Sequence, residues 1–239
     1  MRDAAFTLIE LLVVISIIAL LIALLLPALT AARDTARTAA GLSNQRQIMI
    51  GVLYYANDWD QLLPPGEASN GAFEWATVID GYISRDGSTW ATNDGISRVF
   101  RDPNATFQKS SRHYSAHPRV MPRVNVGGAG PQSGPSLDTI TRITELMAIT
   151  DGTQQGSGAD QGFVQQRCWA VDQVFTAYNA ASASNRINPG PNADTGGFPS
   201  AHIRFRQAND TAANFAFLDG HAQMIRIDDV RQKNVRFGN

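Results

Sequence analysis

The side chains best able to do chemistry in this sequence are four histidines, His113, His117, His202 and His221, set among carboxylates that include Asp58, Asp60, Asp219 and Asp228. Those residue types could hold a divalent metal or run a hydrolase, but their spacing fits neither. The sequence has no His-Glu-x-x-His pair for one helical face, no zinc-finger spacing, no Gly-x-Ser-x-Gly elbow and no Walker-type phosphate loop. Cys168, the single cysteine, has no partner for a disulfide and no Cys or His neighbours for zinc, so it reads as a small buried apolar residue. Asp219, in an Asp-Gly pair, reads as a turn former, and His221 after it as a strand residue facing solvent. No catalytic residues are expected.

A nucleic-acid partner is the next chemistry to weigh. "RHYSAHPRVMPR" places Arg112, His113, Tyr114, Arg119 and Arg123 close together, a basic stretch with one aromatic for stacking. The charge around it argues against that role. Beyond residue 29 the chain balances nineteen basic against nineteen acidic side chains, so nothing advertises a polyanionic partner. The stretch reads as a solvated loop, and nucleic-acid binding is not expected.

The elements follow from hydrophobic pattern. From Leu11 to Leu26 every residue except Ser16 is apolar, and with Phe6 to Ile9 the run approaches the roughly 20 residues that cross a bilayer. After Pro27 a helical period continues, with Leu42, Met49, Leu53 and Ala56 on one stripe and Ile48 and Val52 beside it. Gly41 and Gly51 weaken that helix without ending it; Asp58, Asp60 and Pro64-Pro65-Gly66 close it. Residues 6 to 57 would thus form one helix of roughly 78 Å at 1.5 Å per residue. Beyond it, short apolar runs broken by Gly, Pro, Asn and Asp predict strands and loops. "FEWATVIDGYI" suits a short helix, "ITRITELMAITDGTQ" a strand ending in an Asp151-Gly152 turn, and "FVQQRCWAVDQVFTAY" a strand pair or helix. "ANFAFLDGHAQMIRI" gives the clearest hairpin, with Phe215 and Phe217 alternating on one arm, Ala222 and Met224 on the other, and Asp219-Gly220 as a two-residue turn. The class expected is α+β, one long helix laid against a small antiparallel sheet with long loops.

Glu10 stands inside the apolar run. A secretory signal peptide fits poorly: Asp3 neutralises Arg2, the apolar region is long, and Thr30-Ala31-Ala32 lies in continuing helix. A plain membrane anchor leaves Glu10 unexplained, since a carboxylate in a membrane helix costs about 2.5–3.5 kcal/mol and calls for a partner. Cutting between Ala5 and Phe6 would create an α-amino group one helical turn before Glu10. A pair within the chain would then be possible; pairing of that amine with a neighbouring copy's Glu10 would do more, because it would fix the register of packed helices.

"AFTLIELLVVISIIALLIALLLPAL" resembles the processed N-terminus of type IV pilins and type II secretion pseudopilins. The resemblance implies a leader at 1-5, a transmembrane and polymerisation helix at 6-29, and a globular head at 30-239 that includes the C-terminal half of the long helix. It implies cleavage by prepilin peptidase between Ala5 and Phe6, N-methylation of Phe6, a register role for Glu10, and a kink or melt of the helix at Pro27. The family usually has glycine where Ala5 stands. The expected function is that of a structural subunit of a type IV pilus-like filament or a secretion pseudopilus. Its partners would be further copies of itself, prepilin peptidase, the assembly machinery of the inner membrane, and membrane lipid before assembly. It would begin in the inner membrane and end in a periplasmic or extracellular filament. The alternative is a single-pass, membrane-anchored surface protein that does not polymerise. Some pseudopilins carry calcium in a head loop, which makes Asp58 and Asp60, or Asn192 and Asp194, candidate ligands behind their turn and cap roles.

A second resemblance lies near the C-terminus, where "SAHIRFRQANDTAANFAFLDGHAQMI" is similar to a pilin-like group abundant in planctomycetes, in which nine residues separate a histidine from Asp-Gly. "LYYANDWDQLLPP" and "LMAITDG" fit the same group. Here Asn209 takes the histidine's place, and sixteen residues separate His202 from Asp219 and Gly220.

Overall fold

The computed structural model describes residues 7–68, 73–83, 96–107, 112–125, 133–155, 163–164, 184–187, 192, 194 and 203–237. A single helix, α1, runs Leu8–Asp58 and continues through Pro27. The chain divides into two compact units, Met1–Ala36 and Arg37–Asn239.

In the first unit, the described part of α1 carries its large apolar residues in the open: Leu8 to Leu29 are all exposed, Val13 and Val14 least at 47 %. By length and composition α1 is able to cross a membrane, and its most apolar window is not buried within the chain.

In the second unit, α1 buries Gly41, Gln45, Ile48, Met49, Gly51, Val52, Tyr55 and Ala56. This is the expected stripe turned slightly, with Leu42 and Leu53 at its half-buried margin. Its glycines are places of close approach. A Cβ on Gly51 would stand 2.9 Å from side-chain carbons of both Ile79 and Ile83, which belong to the predicted short helix, α2 (Trp75–Ile83).

A four-stranded antiparallel sheet faces α1, in the order β2 (Tyr114–Ala116), β4 (Met147–Asp151), β7 (Ala212–Phe217), β8 (Ala222–Arg226). Small two-residue pairs accompany it: β1 (Glu67–Ala68) beside β3 (Arg123–Val124), and β5 (Gln154–Gln155) beside β6 (Phe163–Val164). One core cluster joins Ile48, Met49 and Val52 of α1 to Trp75, Phe100, Tyr114, Ala148 and Ala216; a second gathers Met147, Phe205, Phe215, Phe217 and Val235. Because β7 lies inside the sheet and contributes to both clusters, all six of its residues are buried. The architecture is therefore α+β, a long N-terminal helix with a small antiparallel sheet, as the first resemblance implies.

Three local expectations are corrected. The β7–β8 hairpin turns through three residues, Leu218, Asp219 and Gly220: the Gly220 amide donates to the Phe217 carbonyl and the Phe217 amide to that of His221. Gly220 sits at φ +90°, where a side chain would be strained, the signature of a type I turn with a glycine bulge. Met224 is exposed while Ala222 is buried, so β8 does not present both inward. Asp151-Gly152 is no turn; Asp151 ends β4 with no exposed surface and Gly152 bridges to Ile203. In the "FVQQRCWAVDQVFTAY" segment, the residues after Val164, Cys168 among them, lie outside the described residues.

Candidate functional site

At the start of α1, Thr7 and Glu10 satisfy one another. The Thr7 amide and hydroxyl donate to Glu10 Oε2 at 2.9 and 2.7 Å, and the Glu10 amide donates to the Thr7 hydroxyl oxygen at 3.3 Å. This is a capping box, which occupies amides that a helix start otherwise leaves without acceptors. Thr-x-x-Glu before an apolar run is a readable sign of it in the sequence. Further along, the Thr30 hydroxyl donates to the Leu26 carbonyl at 3.0 Å. Pro27 between them has no N–H to give the Ala23 carbonyl, yet the helix stays unbroken. Ala5 and Phe6 lie outside the described residues.

The described histidines, His113, His117 and His221, do not converge. His113 is fully buried and its Nδ1 accepts from the Asp102 amide at 2.9 Å. His117 Nδ1 faces the amides of Arg119 and Val120, so Nε2 carries the proton and donates to the Val235 carbonyl at 2.8 Å. His221 stacks on Phe217, ring centroids 4.3 Å apart, with Nδ1 2.5 Å from Asp219 Oδ1. His202 lies outside the described residues. Asp228 pairs with Arg186 on the surface. Asp58 closes α1 and Asp60 follows in an exposed left-handed turn. Asp194 accepts from the Gln154 amide at 2.7 Å and from Arg204 Nε at 3.1 Å. Among the described residues, no three His, Cys, Asp or Glu side chains gather to hold a metal.

The basic stretch is not a solvated loop. Arg112, His113 and Tyr114 are buried, Tyr114 as the first residue of β2. Arg112 is paired with Glu74, and Arg123 with Glu67 at 3.4 Å. Burial pulls the Arg112 guanidinium down to about 10. Three of the five residues offered for stacking and phosphate contact thus serve the interior.

What the sequence concealed is a polar network inside the head. Asp102, Asp151, Gln45, Gln207 and Asn214 have no exposed surface and come from five separate segments. Asp151 Oδ1 accepts from Gln45 at 3.0 Å, and its Oδ2 accepts from Gln207 and from the Asn214 amide, each at 2.9 Å. Asp102 Oδ2 accepts from the same Gln207 Nε2 at 3.0 Å. Arg206 stands 3.6 Å from both Asp102 Oδ2 and Asp194 Oδ1, and donates to the Gly152 carbonyl. Burial raises both Asp102 and Asp151. Asp151 reaches about 8, because the Asp102 charge adds to burial while Arg206 and two hydrogen bonds oppose it. α1 must come close to reach this pocket: a Cβ on Gly41 would stand 2.9 Å from Asn214 Nδ2 and 3.4 Å from Asp102 Oδ1.

Residues 1–26 match the family model of the prokaryotic N-terminal methylation motif. The match covers Ala5, Phe6 and Glu10 and ends just before Pro27. No curated protein and no solved structure matches the chain. The motif supports a type IV pilin-like precursor, a structural protein with a membrane-competent apolar N-terminal helix, and the α+β fold agrees with it.

Proposed function

We propose that this protein is the subunit of a helical filament, a type IV pilus-like fibre or a secretion pseudopilus, held in the inner membrane until a prepilin peptidase cuts before Phe6. The carrying observation is the coincidence of the methylation motif at 1–26 with an apolar helix whose side chains find no cover among the described residues. In a bilayer those side chains contact lipid; in a filament they contact further copies of the same helix. Glu10 then has two competing partners. Thr7 holds it in the single chain, and the α-amino group of a neighbour's Phe6 replaces or joins Thr7 on assembly, which fixes axial register. The hairpin with its Asp219-Gly220 turn further supports kinship with the planctomycete-type pilin-like group. Asn209, at the position of that group's histidine and ahead of β7, has a left-handed conformation that asparagine tolerates well.

N-terminal peptide mass spectrometry on protein from sheared cells of the native host tests the reading. A chain beginning at methylated Phe6 in the sheared fraction is expected. A chain that retains Met1 and stays with the membranes would replace this reading with that of a non-polymerising anchored surface protein.

A further inference from the structure

One side-chain amide in the buried network is surrounded in a way that hydrogen bonding alone does not require. Gln207 Oε1 accepts from Asn104 Nδ2 at 2.6 Å and from the Thr38 hydroxyl at 2.9 Å, while Gln207 Nε2 lies 3.0 Å from Asp102 Oδ2 and 2.9 Å from Asp151 Oδ2. Asn104 Nδ2 is also 3.2 Å from the Thr38 oxygen. A hydroxyl nucleophile, a carbonyl carbon, a donor to the carbonyl oxygen and two carboxyl groups at the amide nitrogen are therefore assembled around one residue. That is the set acyl transfer needs. The elements aim it. On α1 the hydroxyls of Thr30 and Thr35 turn back onto the carbonyls of Leu26 and Ala31, whereas Thr38 reaches Gln207, 169 positions away. Directly after Gln207, Ala208, Asn209 and Asp210 take φ of 50°, 59° and 60°, three successive left-handed residues without a glycine. Strain of this kind persists where the surroundings impose it, and it gathers at functional sites.

We propose that Thr38 and Gln207 condense into an intramolecular ester that ties α1 covalently to the segment leading into β7. The Thr38 Oγ1–Gln207 Cδ bond forms, the Cδ–Nε2 bond breaks, and the nitrogen leaves as ammonia with the hydroxyl proton. No oxidant or co-reactant enters. Asn104 stabilises the oxygen as it gains charge. Asp151, which burial raises to about 8, hands the departing nitrogen a proton and regains the one the hydroxyl gave up, while Asp102 accepts from the same nitrogen and holds it in place. Gln207, Asp102 and Asp151 have no exposed surface, so water can approach the ester only from the side of the half-buried Thr38 and Asn104. All of these groups belong to the head, and the proposal stands independently of filament assembly.

Peptide mapping of the full-length protein in detergent decides the matter. Trypsin cuts after Arg37 and Arg206, placing Thr38 and Gln207 at the start of two peptides, 38–46 and 207–226. The expected product is one branched species with their summed mass less one ammonia, which hydroxylamine splits into a free threonine peptide and a Gln207 hydroxamate. Two separate peptides from protein with a cooperative thermal transition would overturn the proposal. A lone 207–226 peptide lacking ammonia, from cyclisation of its terminal glutamine, also counts against it. Thr38→Val should abolish the branched species, and Asp151→Asn should lower its yield at matched times at least tenfold. An undiminished yield in Asp151→Asn would remove Asp151 from the chemistry.

Discussion

The N-terminal half of α1 and the interior of the head each place residues where their chemistry is costly. Leu8 to Leu29 leave apolar side chains uncovered, and the Asp102–Asp151 pocket removes carboxyl groups from water. The difference lies in where compensation comes from. Around Asp151 every partner is supplied by the chain itself: Gln45, Gln207, and the Asn214 amide. For Leu8 to Leu29 the described residues supply none, and in the proposed function lipid or other copies do. A region that is complete within one molecule should be sensitive to single substitutions in isolated protein. A region completed from outside should be insensitive to them until it assembles.

The sharpest way to break that contrast is Arg206→Leu. It leaves Asp102 and Asp194 without their shared buried cation and should cost about 3–5 kcal/mol, lowering the thermal midpoint of detergent-solubilised protein by about 10 °C. Leu20→Ala, on the uncovered helix, should move that midpoint within noise; an equal loss in both would erase the distinction. Titration comes next. Asp102 and Asp151 are both raised by burial, so the folded head binds protons that the unfolded chain releases above about 3.8. Stability from this pair is complete below that pH and is lost as pH rises, the Asp151 share through about 8. The midpoint should be several degrees higher at pH 5 than at pH 9, and Asp151→Asn should flatten the slope; a rising slope would contradict the assignment. Gly51→Val, pressed against Ile79 and Ile83, should cost about 1–3 kcal/mol. Smallest is Thr7→Val, which removes the capping hydroxyl for about 1 kcal/mol. It should speed amide hydrogen exchange at residues 8–11 and leave the head's melting unchanged.

Much of the fold was legible because it rests on periodicity and turn chemistry. The apolar run, the Ile48–Val52 stripe, α2 and the β7–β8 hairpin all announce themselves within about fifteen residues of sequence. The buried network does not. Gln45 lies on a helix stripe, Asp102 precedes a proline, Asp151-Gly152 imitates a turn, and Gln207 sits in an unpatterned stretch, so no local rule selects any of them. Their burial is decided by strand order, which brings β4 and β7 together under α1. Arg112 and His113 misled for the same reason. Polar residues read as surface until a sheet is laid over them and partners such as Glu74 and the Asp102 amide are supplied.

The hydrogen bond from Gln45 to the Asn214 carbonyl spans 169 residues. That separation sets an order of events during synthesis. At about 5–20 residues per second, the apolar helix leaves the ribosome some ten to thirty seconds, in rough terms, before the strand that covers its second half exists. Throughout that interval Ile48, Met49 and Val52 have no sheet to rest on, while the first half of the same helix is already fit for the membrane. Folding of the head therefore waits for β7 and β8, and slowing their synthesis should expose this face of α1 to aggregation before it harms the finished fold.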